Sequence, residues 1–245
     1  FGHGKAEALA AMFQVVLISV SAIGIAIRAV QRFISGGNTG NATLTIGNVR
    51  VGANNYSYTV GNGGTTGPAL RGAVQTSAGG ASLTDSRLSG SGVTASNYNA
   101  GGPGGSGETR TVTFTASSAG ALAPMSGQVL NLTSNFDNVG DQKLNIVLGS
   151  NAAAYNAAVG NATPAPVTLA NQRVGGAGSQ MLTISNTAAA GNYSEDLRAS
   201  VSGTSGSATS NGGSINALLA GNSNASAVSV GVDTSTSGAK TGTVT

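Results

Sequence analysis

Cysteine and tryptophan are absent from these 245 residues, histidine occurs once, and only 8% of positions carry Asp, Glu, Lys or Arg. Without cysteine there can be no disulfide, no thiolate metal site and no cysteine nucleophile. The single histidine, His3, stands far in sequence from any plausible serine partner, which argues against a Ser-His-Asp arrangement. Ordinary globular enzymes carry roughly a quarter charged residues. Here 11 basic and 8 acidic side chains are scattered singly, for a net charge of +3. Counterion release on nucleic acid needs Lys and Arg gathered on one face, so nucleic acid is not an expected partner.

What fills the chain is small and uncharged: 39 Gly, with much Ala, Ser, Thr and Asn. Disorder by charge would need high net charge and low hydrophobicity. Instead 40% of residues are hydrophobic, with Val, Leu and Ile at alternating positions. That pattern predicts short strands separated by small-residue turns. Candidate strands are Asn41 to Val51, broken near Gly47-Asn48, then Tyr56 to Val60, Ala69 to Gln75, Arg110 to Ala116, Gly127 to Leu132 and Lys143 to Leu148.

Ala8 to Ile27 is the one continuously apolar stretch, twenty residues without a charge. At about 1.5 Å rise per residue a helix of that length reaches roughly 30 Å, the thickness of a bilayer's hydrocarbon core. Helix formers in AEALAAMF and the stop at Gly36-Gly37 predict a helix from about Lys5 to Ile34. Partial alternation from Ile18 to Ile27 leaves a strand open on pattern alone, and length favours the helix. Its buried face is expected to include Leu9, Met12, Phe13, Val16, Leu17, Val20, Ile23 and Ile27. A signal peptide, a transmembrane signal anchor and an assembly helix compete for this segment. With Phe1 first, a long apolar helix next and a β-rich part after it, the chain weakly resembles type IV pilin-like subunits. It departs from them in having Lys5 where they carry glutamate, with Glu7 two places later.

The rest of the chain repeats itself. LTIGNVRVG (Leu44 to Gly52) matches VTLANQRVG (Val167 to Gly175), and YTVGN (Tyr58 to Asn62) matches LTISN (Leu182 to Asn186). Leu70-Arg71 then meets Leu197-Arg198, Val112 to Gly120 meets Val228 to Gly238, and SGQV (Ser126 to Val129) meets TGTV (Thr241 to Val244). Order is kept throughout, so the two parts read as copies of one module. The stretch RVGGAGSQMLTISNTAAAGNYSEDLRASV, followed by GVDTSTSGAKTGTVT, resembles the immunoglobulin-like choice-of-anchor repeats of bacterial surface proteins. That resemblance implies a secreted, non-enzymatic β-sandwich in which a further strand follows TGTVT.

Candidate chemistry is sparse. Asp137 to Asp141 offers oxygen ligands but not the ligand spacing of an EF-hand, so an Asx turn is the expectation. Gly102 to Gly107 matches the dinucleotide-binding pattern as text, without the strand-to-helix context that makes it work. Glu195-Asp196 and Glu108 are expected to be solvated loop charges and not a carboxylate pair for glycoside chemistry. Asn41, Asn55, Asn131, Asn161, Asn192 and Asn224 each open an N-glycosylation acceptor triplet, which makes surface glycan a candidate partner.

The expected molecule is therefore mainly β: a long N-terminal hydrophobic α-helix over 1–36, followed by two tandem Ig-like antiparallel β-sandwich modules at 37–160 and 161–245, the second lacking its last strand. Its expected role is as a structural subunit of an extracellular, pilus-like filament whose partners are copies of itself, with the inner membrane as a partner before assembly. The alternative is a membrane-anchored surface adhesin or stalk that binds a host or matrix ligand. Neither an enzymatic activity nor a cofactor or metal is expected, and the location is extracellular or at the cell surface.

Overall fold

A computed structural model describes residues 41–136 and 139–245. Every regular element in it is a strand. In the first part of the chain these are β1 (Ala42–Ile46), β2 (Val49–Arg50), β3 (Gly52–Val60), β4 (Leu70–Gln75), β5 (Leu88–Ser89), β6 (Ser96–Gly101), β7 (Glu108–Ala116), β8 (Gly120–Ala121), β9 (Gln128–Leu132), β10 (Gln142–Leu148) and β11 (Ala153–Tyr155). The second part has β12 (Gly160–Thr163), β13 (Ser179–Asn186), β14 (Leu197–Ser200), β15 (Thr204–Gly206), β16 (Ala208–Ser210), β17 (Ser214–Leu218), β18 (Ser223–Val232) and β19 (Gly242–Val244). The fold class is thereby corrected: the described chain is a β fold with no helix among its described residues. The expected helix, with Leu9, Met12, Phe13, Val16, Leu17, Val20, Ile23 and Ile27, lies outside the described residues.

The chain clusters into two compact units. One comprises Asn55–Thr113, Met125–Val147 and the start of β1. Its main sheet has the order β1-β10-β9-β4-β6, and a second has the order β3-β7-β5. Alternation chooses the inner face. In β10, Leu144 and Ile146 are buried and pair across with Leu130 and Gln128 of β9. In β7, Arg110 and Val112 are buried while Thr109 and Thr111 are exposed. Gly72 in β4 has a packing reason to be glycine: a Cβ there would come within 1.9 Å of the Thr133 carbonyl oxygen and 2.6 Å of the Tyr98 hydroxyl. Its absence lets the Tyr98 side chain cross β4 and donate to that same carbonyl.

The other unit comprises Ile46–Asn54, Phe114–Pro124 and Leu148–Thr245. It holds the sheets β2-β11-β8, β12-β13-β18-β16, β14-β17 and β15-β19. Ile184, Ile215, Leu218 and Val228 form its buried cluster, with Leu182, Leu197 and Val201 packed against them.

The sequence copies adopt corresponding pairings. The order β3-β7-β5 in one copy is matched by β13-β18-β16 in the other, and the pair β4-β6 by β14-β17. One side chain repeats in atomic detail. Asn62, just after β3, donates through Nδ2 to the carbonyls of Pro68 and Gly101, both at 3.2 Å, and accepts the Gly64 amide through Oδ1 at 3.1 Å. Asn186, at the end of β13, donates to the carbonyls of Glu195 and Leu218, both at 3.0 Å, and accepts the amides of Ala188 at 3.3 Å and Val159 at 3.1 Å. Pro68 and Glu195 each stand two residues before the matched Leu-Arg pair, and Gly101 and Leu218 each close the strand that pairs with it. The amides of Gly104 and Gly221, three residues past those closing positions, bond to the main-chain carbonyls of Asn62 and Asn186 respectively.

The stretch Val167 to Gly175 departs from this correspondence. Its counterpart forms β1 and β2, whereas Val167 to Gly175 forms no strand. β1 is held by β10 at its side, and the second copy has no described strand in the corresponding place. An extended segment with no neighbour has no ladder to join.

Asn186 is 1% exposed, so removing its amide leaves buried backbone groups unpaired. Asn186→Ala is expected to cost about 2–3 kcal/mol, and Asn62→Ala, at a half-buried position, about 1 kcal/mol. Urea unfolding of both variants, followed by circular dichroism, checks the size and the order of the two effects.

Candidate functional site

Asp85, Glu108 and Glu195 are each held in an ion pair with an arginine. Asp85 and Arg87 bond at 2.6 Å, and Asp85 Oδ1 also accepts the Arg87 amide at 2.9 Å. Arg87's hydrogen bonds hold Asp85 below the ordinary carboxylate range. Arg110, 6% exposed, bonds to Glu108 at 2.6 Å and to the Asn97 carbonyl at 2.6 Å. The Asn99 amide and then Arg110 lower Glu108. Beside this pair, burial pushes the Tyr58 hydroxyl up to about 12, and it donates to the Gly92 carbonyl at 2.8 Å. Arg50 grips Glu195 in a two-pronged contact at 2.7 and 2.8 Å, which lowers the Glu195 carboxyl. Glu195 is thus an ion-pair member and not a freely solvated charge.

The remaining candidates separate. His3 and Asp137 lie outside the described residues. Asp141 accepts from Asn131 Nδ2 at 2.9 Å. Among the described residues no group of three His, Cys, Asp or Glu is placed to hold a metal ion. Gly102 to Gly107 is a turn between β6 and β7, closed by the Gly105 amide on the Gly102 carbonyl at 3.1 Å, with no helix following. Of the glycosylation triplets, Asn131 is fully buried with its Nδ2 bonded to Gln75 and Asp141. Asn41, Asn55, Asn161 and Asn192 are exposed, whereas Asn224 is half-buried.

One feature with room for a partner is a groove of about 810 Å³ inside the second unit. Its floor is formed by residues of the β12-β13-β18-β16 sheet, among them Leu182 and Val230. One wall is Val167 to Val174, the other Thr241 to Val244 with the turn before them. Val167 and Leu169 are half-buried while Thr168 and Ala170 are exposed, so this wall keeps a strand's alternation without a strand's partner. Its lining includes two cations, Arg173 and Lys240, and no carboxylate.

Among the described residues β19 pairs with β15 on one edge and with no strand on the other. Thr245 exchanges backbone hydrogen bonds with Gly203, at 2.9 and 3.1 Å, and Ser207 donates to the Thr241 carbonyl at 2.8 Å. Odd-numbered residues of this strand therefore face β15. By alternation, Gly242 and Val244 turn their N–H and C=O groups to the other edge, toward the groove. In the first copy Val129 exchanges bonds with Ser82 at 2.7 and 2.8 Å, which turns Gln128 and Leu130 toward β10. Val244 thus shares the edge orientation of Gln128 and Leu130 and not that of its sequence match, Val129.

A family model described as the cation efflux transmembrane domain matches residues 1–60. It covers about a quarter of the chain and marks a similarity in that stretch alone. No curated protein matches the chain. These findings overturn the pilin-like and immunoglobulin-like resemblances: the N-terminal stretch is similar to a transporter's transmembrane domain, and no immunoglobulin-like family matches. Within the matched stretch, the described residues form β1, β2 and β3. No helix among the described residues is long and apolar enough to cross a membrane.

The Asp85–Arg87 pair makes stability depend on pH. Because the folded Asp85 carboxyl lies below its ordinary value of 3.8, its contribution is present above that value and is lost as pH falls through the folded one. Asp85→Asn is expected to lower stability by about 1 kcal/mol near neutral pH, with the difference shrinking as the pH falls below 3.8. Denaturant midpoints of both proteins, measured from neutral pH down through the acid range, provide the check.

Proposed function

We propose that the chain is a non-catalytic structural subunit of an extracellular assembly, a filament or pilus-like fibre built from copies of itself, with its repeated β modules as sandwiches. The observation that carries this reading is the groove beside the β19 edge that no described strand covers, which has the form of a protein–protein contact. A sheet edge with free N–H and C=O groups next to apolar floor residues recruits polypeptide. The paired acids support the same reading, since carboxylates held down by guanidinium groups make poor general acids near neutral pH. The exposed surface of Thr, Ser, Asn and Gly suits an extracellular location, and exposed Asn55 or Asn192 would accept surface glycan.

A second reading has its own support. The charge-free run Ala8 to Ile27 and the match of residues 1–60 to a transmembrane family favour a membrane-anchored surface stalk or adhesin that displays the same β modules.

Negative-stain microscopy and sedimentation of material sheared from cells distinguish the two. Fibres that contain the chain and persist without detergent are the expected result. Recovery only in the membrane fraction, released only by detergent, would replace the filament with the anchored stalk.

A further inference from the structure

We propose that Lys143 joins its side chain to that of Asn131 in an isopeptide cross-link, once per chain and with loss of ammonia, and that Asp141 is the acid–base group for the step. Lys143 and Asn131 face each other across β10 and β9. Gln128 and Leu130 turn their backbone groups toward β10, so the Asn131–Lys143 pair between them is of the kind without ladder bonds. In such pairs the Cα atoms approach to about 4.5 Å and the side chains stand closest. The Asp141 carboxylate reaches the same place, for its Oδ2 accepts from Asn131 Nδ2 at 2.9 Å. The face of the sheet opposite to buried Leu130 and Leu144 thus gathers an amine, an amide and a carboxylate.

Three observations point to chemistry at this cluster. Asn131 is fully buried, and its Oδ1 has no hydrogen-bond partner among the described residues, whereas its Nδ2 is held by both Gln75 Oε1 and Asp141 Oδ2. A buried oxygen left unpaired is rare and marks strain or reactivity. Lys143 is half-buried and forms no ion pair among the described residues. Finally, the turn through Gly79 and Gly80 closes over both groups: a Cβ on Gly79 would come within 3.0 Å of Asn131 Cγ, and one on Gly80 within 2.8 Å of Lys143 Nζ. The amide carbon and the amine nitrogen therefore lie beneath neighbouring residues of one turn, held close and partly shielded from water.

The step needs no co-reactant. Asp141 takes a proton from the Lys143 ammonium, and the freed Nζ lone pair attacks Asn131 Cγ to form the new C–N bond. The Cγ–Nδ2 bond then breaks as Asp141 returns its proton to Nδ2, which leaves as ammonia and carries off the second Nζ proton as ammonium. The position of Asp141 Oδ2 against Nδ2 is the one that protonation of the leaving group requires.

Mass spectrometry of the purified 245-residue chain reads the reaction directly. A mass about 17 Da below that of its sequence is expected, one ammonia per link. Trypsin should fail to cut after Lys143, so that a single peptide from Thr111 to Arg173 carries the same deficit. Lys143→Arg keeps the charge without the reactive amine, and Asp141→Ala removes the proton carrier at an exposed position. Both variants should keep the circular dichroism spectrum and return to full mass. Full mass in the unaltered chain, a deficit that survives Lys143→Arg, as a succinimide would give, or a link formed in Asp141→Ala would overturn the proposal. The filament reading stands or falls separately: a linked chain that forms no fibres in cells would sink that reading and leave the link, and fibres built from chains of full mass would do the reverse.

Discussion

Asn186 satisfies four backbone groups with one amide: the Glu195 and Leu218 carbonyls, and the Val159 and Ala188 amides. Those groups belong to the ends of three strands and to the turn after β13, places where a ladder stops and main-chain polar groups are left over. In a chain with little charge and few large apolar side chains, such leftover groups are the main threat to stability, since each unpaired buried group costs about 1–3 kcal/mol. Asn62 solves the same problem in the first copy with the same two carbonyl positions. The β architecture is therefore pinned at equivalent corners, and the short strands between them are free to vary in length and composition.

Around those corners the cores are modest. Ile184, Ile215, Leu218 and Val228 make one cluster, and β7, β9 and β10 bury Val112, Leu130, Leu144 and Ile146 in the first unit. Small residues bring backbones close in compensation. Gly72 allows Tyr98 to cross its strand, and Gly213 stands where a Cβ would meet the Ala227 carbonyl oxygen at 1.9 Å. Close backbone approach of this kind explains part of the glycine content, and ion pairs such as Arg50–Glu195 fasten loops within a unit without providing chemistry.

Two copies with one pairing scheme make their difference informative. The first completes its main sheet with β10, while in the second β19 has a strand partner on one edge only among the described residues. A sheet edge of this sort is a liability unless something occupies it. The groove beside it is walled by Val167 to Val174 and Thr241 to Val244, the sequence counterparts of segments that flank β10 in the first copy.

Alternation of apolar and polar residues determined the strands themselves. RTVTFTA became β7, GQVLNL became β9 and KLNIVL became β10, because a period of two places one face inward whatever surrounds it. The internal matches likewise foretold which strands correspond, down to the asparagine that closes YTVGN and LTISN. Ladder membership was beyond reach of local pattern. VTLANQRVG alternates as well as LTIGNVRVG does, yet only the latter becomes strand, since a strand exists by virtue of a neighbour distant in sequence. The same limit applies to Glu195, which finds Arg50 across 145 residues, and to Asn131, whose acceptor triplet is textually sound but whose amide is buried against Gln75 and Asp141. Sequence determined which faces could be buried; tertiary structure alone decided which edges were covered, because hydrogen-bond partners in a β fold are set by long-range register and not by the residues next along the chain.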